Sequence, residues 1–515
     1  MTEKKSLVVI GAGMTGLSSA LAWVKNNDPE LYPVVLLEKN HATGGMVTTY
    51  TRQGFSFDTN QMISNINPVL KYFELDIEMK EFQKNFARII RVDTSAGKVK
   101  TIELPSGFQP FKKHLMEIFS IDSKSIGKFL DYSMEMYDEI LGLKYNPTIF
   151  EIFKILFTCP KIIRNAGKTY KVFLNKFRFK DPEVPEVFHL FSVLCGIPES
   201  RSAALLPVGV MLSLLEKAYR PAGGFIEIPR KMEQKYLELG GELRLKTPVK
   251  KILVDYGRVK GVLLENGDEI LSDNVITTID VKASMNDLVG LDIIGKAKPA
   301  YRRKIERLTM TPSVFTVNLG LDDGLDPAKS GLDCGLTMLT TGSKSYEKLY
   351  NAFLEGRNGF SEKDFHIDII CPSLAIGGRP VLTITAQPFP MGNWNELRNT
   401  DRSLYKLEKE KCADFLIKLA EKYALPGLSS HIKVMDISTP ATYSRYSGSP
   451  TGSQYDMASY VDNFGLNRLS TITPVKGLYQ PKFAHGVFGT MQGGLQAVDQ
   501  IMGRRIMNGN SRFPG

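Results

Sequence analysis

Three glycines and one acid define the chemistry available near the start of this chain. Gly11, Gly13 and Gly16 form a G-x-G-x-x-G run directly after the apolar stretch Leu7–Ile10, and Leu17 to Val24 follows with helical character. A second apolar stretch, Pro33 to Leu37, ends in Glu38, which lies 22 residues beyond Gly16. Each glycine has its own task in such a unit: a tight turn, close approach of backbone to a pyrophosphate, and close packing of helix on strand. The helix N-terminus adds N–H donors and a partial positive charge for phosphate oxygens. Glu38 is placed to accept hydrogen bonds from ribose hydroxyls. Strand, turn, helix and second strand are all present, which is the context a dinucleotide site requires.

The elements around this unit indicate an α/β fold. Strand signals return at Gly240-Gly241-Glu242, Pro248 to Val254, Gly261 to Leu264 and Asn274 to Thr278, whereas Gln109 to Lys217 reads as amphipathic helix with few strand signals. The spacing predicts a Rossmann-type nucleotide-binding domain split by a helical insert, with a second, mixed-sheet substrate domain that includes strands at Ser313 to Leu321 and Val381 to Gln387. The expected segments are 1–108 and 218–290 for the two halves of the nucleotide domain and 109–217 for a helical, membrane-facing insert. Residues 291–470 form the substrate domain, and 471–515 a C-terminal cofactor segment.

The order of motifs resembles the flavoprotein superfamily of amine oxidases and protoporphyrinogen oxidases, most closely its carotenoid (phytoene) desaturase and retinol saturase branch. The pieces that carry it are Gly11–Gly16, Glu38, Gly44-Gly45, Gly54–Asp58, Gly196-Ile197-Pro198, Arg220-Pro221-Ala222-Gly223-Gly224 and Gly240-Gly241. Val249, Gly261-Val262, Asn318–Leu321, Ala386-Gln387-Pro388, Tyr446–Pro450, Gly477-Leu478-Tyr479 and Gly493-Gly494 continue the series. The resemblance implies an FAD-dependent oxidoreductase with noncovalent FAD, since no cysteine or histidine sits in a flavin-linking motif. It assigns cofactor contacts to Gly11, Ala12, Gly13, Met14, Thr15, Gly16, Glu38, Lys39, Gly44, Gly45, Met46, Val249, Gly493 and Gly494. In such families the Gly44-Gly45 segment lies along the pyrophosphate and flavin, the backbone at Val249 meets adenine, and the C-terminal glycine pair approaches the flavin ring.

Two departures stand out. Asn60-Gln61 follows Asp58-Thr59 where relatives carry Gly-Pro or a similar small turn. Gln480-Pro481-Lys482-Phe483 follows Leu478-Tyr479 where relatives carry a glycine and an acid that reaches the flavin's ribityl chain.

The implied reaction is hydride exchange between flavin N5 and a carbon of a hydrophobic, carotenoid-like substrate, as a desaturase, saturase or isomerase. The sequence nominates no catalytic acid or base; Lys482 and His485 are candidates for polar contacts only. The alternatives are oxidation of a small polar amine, and a flavin-binding subunit whose active site has decayed.

Composition sets the surroundings. The chain has 515 residues with 43% apolar and 23% charged, enough for a large core, and a net charge of +10 that points to an anionic partner. Cys159, Cys195, Cys334, Cys371 and Cys412 are scattered, as are the six histidines, so neither a metal site nor a disulfide framework is expected, and a reducing, cytoplasmic setting fits. Lys4-Lys5 before an uncharged run imitates a secretory leader, but the three glycines read as the nucleotide turn. Ile152 to Lys180 holds eight basic residues and no acid, interleaved with large apolar side chains. That pattern predicts a peripheral contact with an anionic membrane. No nucleic-acid recognition motif accompanies it.

Overall fold

The computed structural model describes residues 6–60, 62–143, 149–481 and 486–507. Its first sheet is parallel throughout, in the order Leu478–Tyr479, Asn274–Thr277, Leu7–Ile10, Val34–Leu37, Glu242–Arg244. Leu7–Ile10 and Val34–Leu37 are apolar and buried at every position, as strands covered on both faces must be. Their side chains alternate between two cores. Leu7, Val9, Val34 and Leu36 pack with Trp23, Phe73, Tyr236 and Met491 under the helices. Val8, Ile10, Val35 and Leu37 pack with Val262, Val275 and Met285 on the other face.

The second sheet has seven strands, ordered Ile432–Ser438, Ser313–Leu321, Val381–Phe389, His366–Ile370, Leu336–Thr340, Asn85–Asp93, Lys98–Pro105. All its pairings are antiparallel except Leu336–Thr340 beside Asn85–Asp93, which is parallel, so the sheet is mixed. One face, carrying Val317, Leu319, Ile367, Ile369 and Ile384, packs with Leu416 and Ile417 of helix Arg402–Tyr423. At the Asn85–Asp93 end of the sheet, the opposite face meets the helical region. There Ile89, Ile102, Met338 and Ile370 join Phe129, Phe188 and Phe191 in one core.

Among the described residues, seven α-helices and one short 3-10 turn fill the segment from Phe108–Ile118 to Leu205–Glu216. The expected fold class, a split Rossmann-type sheet beside a mixed-sheet region, is the one observed. The strands at 85–105 lie in the mixed sheet rather than beside the glycine turn. Their partner at Leu336–Thr340 is more than two hundred residues away, and no local pattern encodes such a pairing. Among the described residues no helix is long and apolar enough to cross a membrane.

Candidate active site

The glycine turn has the geometry its spacing implies. Gly11 has φ +94°, and the Thr278 hydroxyl donates to its carbonyl at 3.0 Å. A Cβ on Gly16 would lie 1.8 Å from the Gly11 oxygen, so only glycine lets the helix start this close to the strand. A Cβ on Gly13 would meet nothing within 4 Å, which leaves open space at the start of helix Met14–Asn26. No side chain caps that helix end, so its first N–H groups remain for an anion. Ala12, Met14 and Thr15 are buried around the turn.

Glu38 is itself buried, and it holds the turn as well as facing it. Its Oε2 accepts from the Ala12 N–H at 2.8 Å, and its Oε1 accepts from the backbone and side-chain nitrogens of Asn40, each at 2.8 Å. A carboxylate offers about four acceptor positions, so one is left for a ribose hydroxyl. The Lys39 ammonium instead donates to the Arg445 carbonyl at 2.7 Å; burial lowers its pKa against the opposing charge of Glu38, with Arg445 adding to the drop. Lys246 and Thr247 donate to the carbonyls of Asn40 and Glu38 at 2.9 and 2.8 Å, which brings Val249 alongside the same corner.

Gly44 and Gly45 lie across the glycine turn. Gly44 donates to the Ala12 carbonyl at 2.8 Å, and a Cβ on Gly45 would stand 3.2 Å from the Gly13 Cα. The Met46 carbonyl is held by the Thr59 hydroxyl at 2.9 Å and the Asn60 amide at 3.0 Å. Asn60 thus has a structural use where relatives carry a small turn; Gln61 lies outside the described residues. The Asn60 carbonyl in turn accepts from Arg220 at 2.8 Å.

Arg220 was quoted above for its motif alone, and the structure gives it a partner. Its guanidinium is 1% exposed, 3.6 Å from the Asp58 carboxylate, and burial lowers its pKa ahead of the opposing effect of Asp58. Asp58 also accepts from the Phe225 N–H at 3.1 Å and from the Thr49 hydroxyl. This buried pair fastens the loop after Gly44 to the segment before Gly223-Gly224. Asp58 closes one motif and Arg220 opens another, but nothing in one dimension reports that they meet.

The C-terminal glycines sit inside helix Gly486–Met502. A Cβ on Gly494 would fall 2.1 Å from the Ser18 hydroxyl and 2.4 Å from the Thr15 carbonyl, so its packing contact is with the first helix. Gln480, buried at the end of the last parallel strand, donates to the Ile279 carbonyl at 3.1 Å. Lys482, Phe483 and His485 lie outside the described residues.

Two buried carboxyls meet at the turn after the Asn274–Thr277 strand. Asp280 caps the turn after Asn274–Thr277 by accepting from the N–H groups of Lys282 and Ala283, and Asp456 accepts from the Val281 N–H at 3.3 Å. Burial, then Asp280, holds Asp456 well above the carboxylate range; burial raises Asp280 too. Arg468 faces Asp456, and its own burial pushes it down to about 10. Taken together, an open cradle at Gly13, an uncapped helix end and spare acceptor capacity on Glu38 fit a bound dinucleotide.

A profile of the family described as flavin containing amine oxidoreductase matches residues 14–353, more than half of the chain. The chain is 24% identical over 496 residues to the chloroplastic prolycopene isomerase of Daucus carota, covering 92% of this chain and 75% of that protein. It is 23% identical over 454 residues to the lycopene-forming phytoene desaturase of Pseudescherichia vulneris, covering 85% and 86% of the two chains. The all-trans-retinol 13,14-reductase of Danio rerio is 22% identical over 557 residues, with 99% of this chain and 90% of that one covered. Among solved structures, wild-type putrescine oxidase bound to putrescine shares the fold, with a TM-score of 0.63 at 15% identity over 97% of this chain and 99% of that one. These relatives bear out the resemblance to the carotenoid desaturase and retinol saturase branch. The chain belongs to the flavin containing amine oxidoreductase family and is an FAD-dependent oxidoreductase.

Proposed function

We propose that this enzyme exchanges a hydride between noncovalently held FAD and a carbon of an isoprenoid-type lipid, so that a carbon–carbon double bond is made, removed or isomerised. The observation that carries the reading is the span of the similarity. Relatives named for prolycopene, phytoene and retinol each align with 85% or more of this chain, through both sheets and the helical region. FAD supplies the two-electron acceptor or donor. The glycine turn and Glu38 would hold it, with the Gly44–Met46 loop packed beside that turn and fixed by the Asp58–Arg220 pair. Val249 and Gly493 are assigned to its adenine and ring ends.

The lipid is drawn from a membrane surface. Phe153, Leu156, Phe157, Ile163 and Val172 are exposed on the helical region, with exposed Lys154, Arg164 and Lys171 among them. Lys161 is committed instead to Glu135, at 2.8 Å. Lys171 stands 3.9 Å from Glu199 with its side chain still exposed, and exposed aromatic and aliphatic side chains beside such cations suit an anionic interface.

The reaction is tested by mass. Under anaerobic conditions oxidised enzyme is mixed with phytoene, and separately reduced enzyme with retinol. A product two hydrogens poorer identifies a desaturase, one two hydrogens richer a saturase, and an isomer of unchanged mass an isomerase. Recovery of every lipid unaltered by enzyme of either oxidation state would overturn the proposal.

A further inference from the structure

Where the helical region meets the mixed sheet, a seam of buried polar side chains runs through an otherwise apolar core. Ile367 and Ile369 pack in the outer layer, so His366 and Asp368 on the same strand face the helices. His366 and His189 are 2% and 3% exposed, and none of their four ring nitrogens has a hydrogen-bond partner among the described residues. Tyr346 lies between the rings, 5.5 Å from His189 and 5.4 Å from His366 between centroids, and its buried hydroxyl is also unpartnered. His366 Nε2 is 3.4 Å from Asp368 Oδ1, and Asp368 Oδ2 accepts from Gln387 at 3.2 Å. His189 Nδ1 is 3.6 Å from a Glu199 oxygen.

A histidine kept only for packing is ordinarily satisfied. Leaving a buried polar atom unpaired costs about 1–3 kcal/mol, and this seam gathers several within one contact chain. Both ends of the seam lead somewhere. Outward, His189 and His366 line a cavity of about 10 Å³ together with Arg91, Glu183, Glu186 and Thr340. A void of that size takes about one water. Arg91 and Glu183, paired at its rim, are 26% and 25% exposed. Inward, Gln387 also reaches the Val193 carbonyl at 3.5 Å, and Asp368 borders Tyr455, whose ring packs on Gly196. Tyr455 directly precedes Asp456, which accepts from the Val281 N–H in the turn after the Asn274–Thr277 strand.

We infer that His189, Tyr346, His366 and Asp368 form a proton relay joining solvent at Arg91–Glu183 to the reacting carbons of a lipid bound at the Gln387–Tyr455 end of the seam. The inference rests on the hydride reading above and supplies the proton route that reading needs. In desaturation a carbon–carbon single bond becomes double. The hydride leaves one carbon with its electron pair to reduce FAD, and the proton leaves the neighbouring carbon for the Asp368–His366 end. A second proton leaves at the Glu183–Glu186 end, so no charge accumulates; in reduction every transfer reverses. The titratable groups facing the two imidazoles are Arg91 from the sheet, Glu183, Glu186 and Glu199 from the helical region, Tyr346, and Asp368. Tyr455 borders Asp368, and Cys195 borders both Tyr346 and Tyr455. Burial, then Asp368, raises the Tyr346 phenol well above its ordinary value, so it keeps its proton and acts as a donor.

The first test needs no turnover. In ¹⁵N-histidine-labelled protein, with His189→Gln and His366→Gln assigning the resonances, the ring protons of both buried imidazoles should exchange with solvent as fast as those of exposed histidines. Protection for hours, as for a group released only by unfolding, would overturn the relay. The second test reads lipid turnover. Asp368→Asn and His366→Gln, checked for FAD content and melting temperature, should slow kcat at least tenfold with KM little changed and alter the pH profile, and Asp368→Glu should restore part of the rate. Lipid turnover with unchanged rate and profile in both variants overturns the relay and leaves the reaction class standing. Rapid ring exchange in a chain that transforms no lipid overturns the reaction class and leaves the relay serving another substrate.

Discussion

At the scale of single residues, Glu38 has two duties where its position in the sequence indicated one. The acid at the end of the second strand is legible because the motif that calls for it is local. Its bond to the Ala12 N–H is not, because that depends on how the turn folds back. Glu38→Ala therefore removes a charge-assisted contact to the ribose and loosens the turn as well. Hydrogen bonds to charged groups are worth about 1.5–3 kcal/mol, so FAD affinity should fall roughly ten- to hundredfold. Flavin fluorescence titration reads this, and an unchanged dissociation constant would remove Glu38 from the site. Arg220 and the two buried histidines were illegible for a different reason. Burial and partnership across more than one hundred residues leave no periodic trace in the chain.

At the scale of elements, the parallel strands and the helix after the glycine turn could be read directly. Both-face burial writes itself as unbroken apolar runs, and the glycines punctuate them. Gly494 shows where such reading ends. The glycine pair was legible as a close approach, and for Gly494 the structure supplies the first helix as the thing approached. Gly494→Ala would press a methyl onto Ser18 and Thr15 and should destabilise the protein by about 1–3 kcal/mol, in the range for overpacked contacts. Chemical denaturation measures it, and loss of FAD with full stability would point to a cofactor contact instead. The basic, apolar segment makes a separate prediction. Each engaged cation contributes on the order of 1 kcal/mol at an anionic surface, so neutralising Lys154, Arg164 and Lys171 together should weaken vesicle binding roughly hundredfold. Sedimentation with phosphatidylserine vesicles, repeated at high salt, tests it; equal binding to neutral vesicles would contradict the electrostatic part.

At the scale of the whole molecule, acids buried at the turn after the Asn274–Thr277 strand link folding to pH. Asp456 and Asp280 are both raised by burial, so the folded chain retains protons that an unfolded aspartate, with a pKa of about 3.9, has released. Stability must then fall as pH rises from the ordinary carboxylate range toward the raised values. Asp456→Asn, which keeps an acceptor for the Val281 N–H, should flatten that slope above the ordinary carboxylate range; melting temperatures with parallel slopes would contradict it.

Transfer of a hydride needs the reacting atoms at roughly 3–3.5 Å, and the proposed isoprenoid substrate distinguishes this account from oxidation of a small amine. The most direct measurement is the flavin spectrum of anaerobic, FAD-loaded enzyme mixed in parallel with isoprenoid lipids and with putrescine. The account predicts a change of flavin redox state with a lipid, bleaching of the oxidised form or reoxidation of the reduced form, and none with the amine. Bleaching by the amine, with both flavin states indifferent to every lipid, would contradict it.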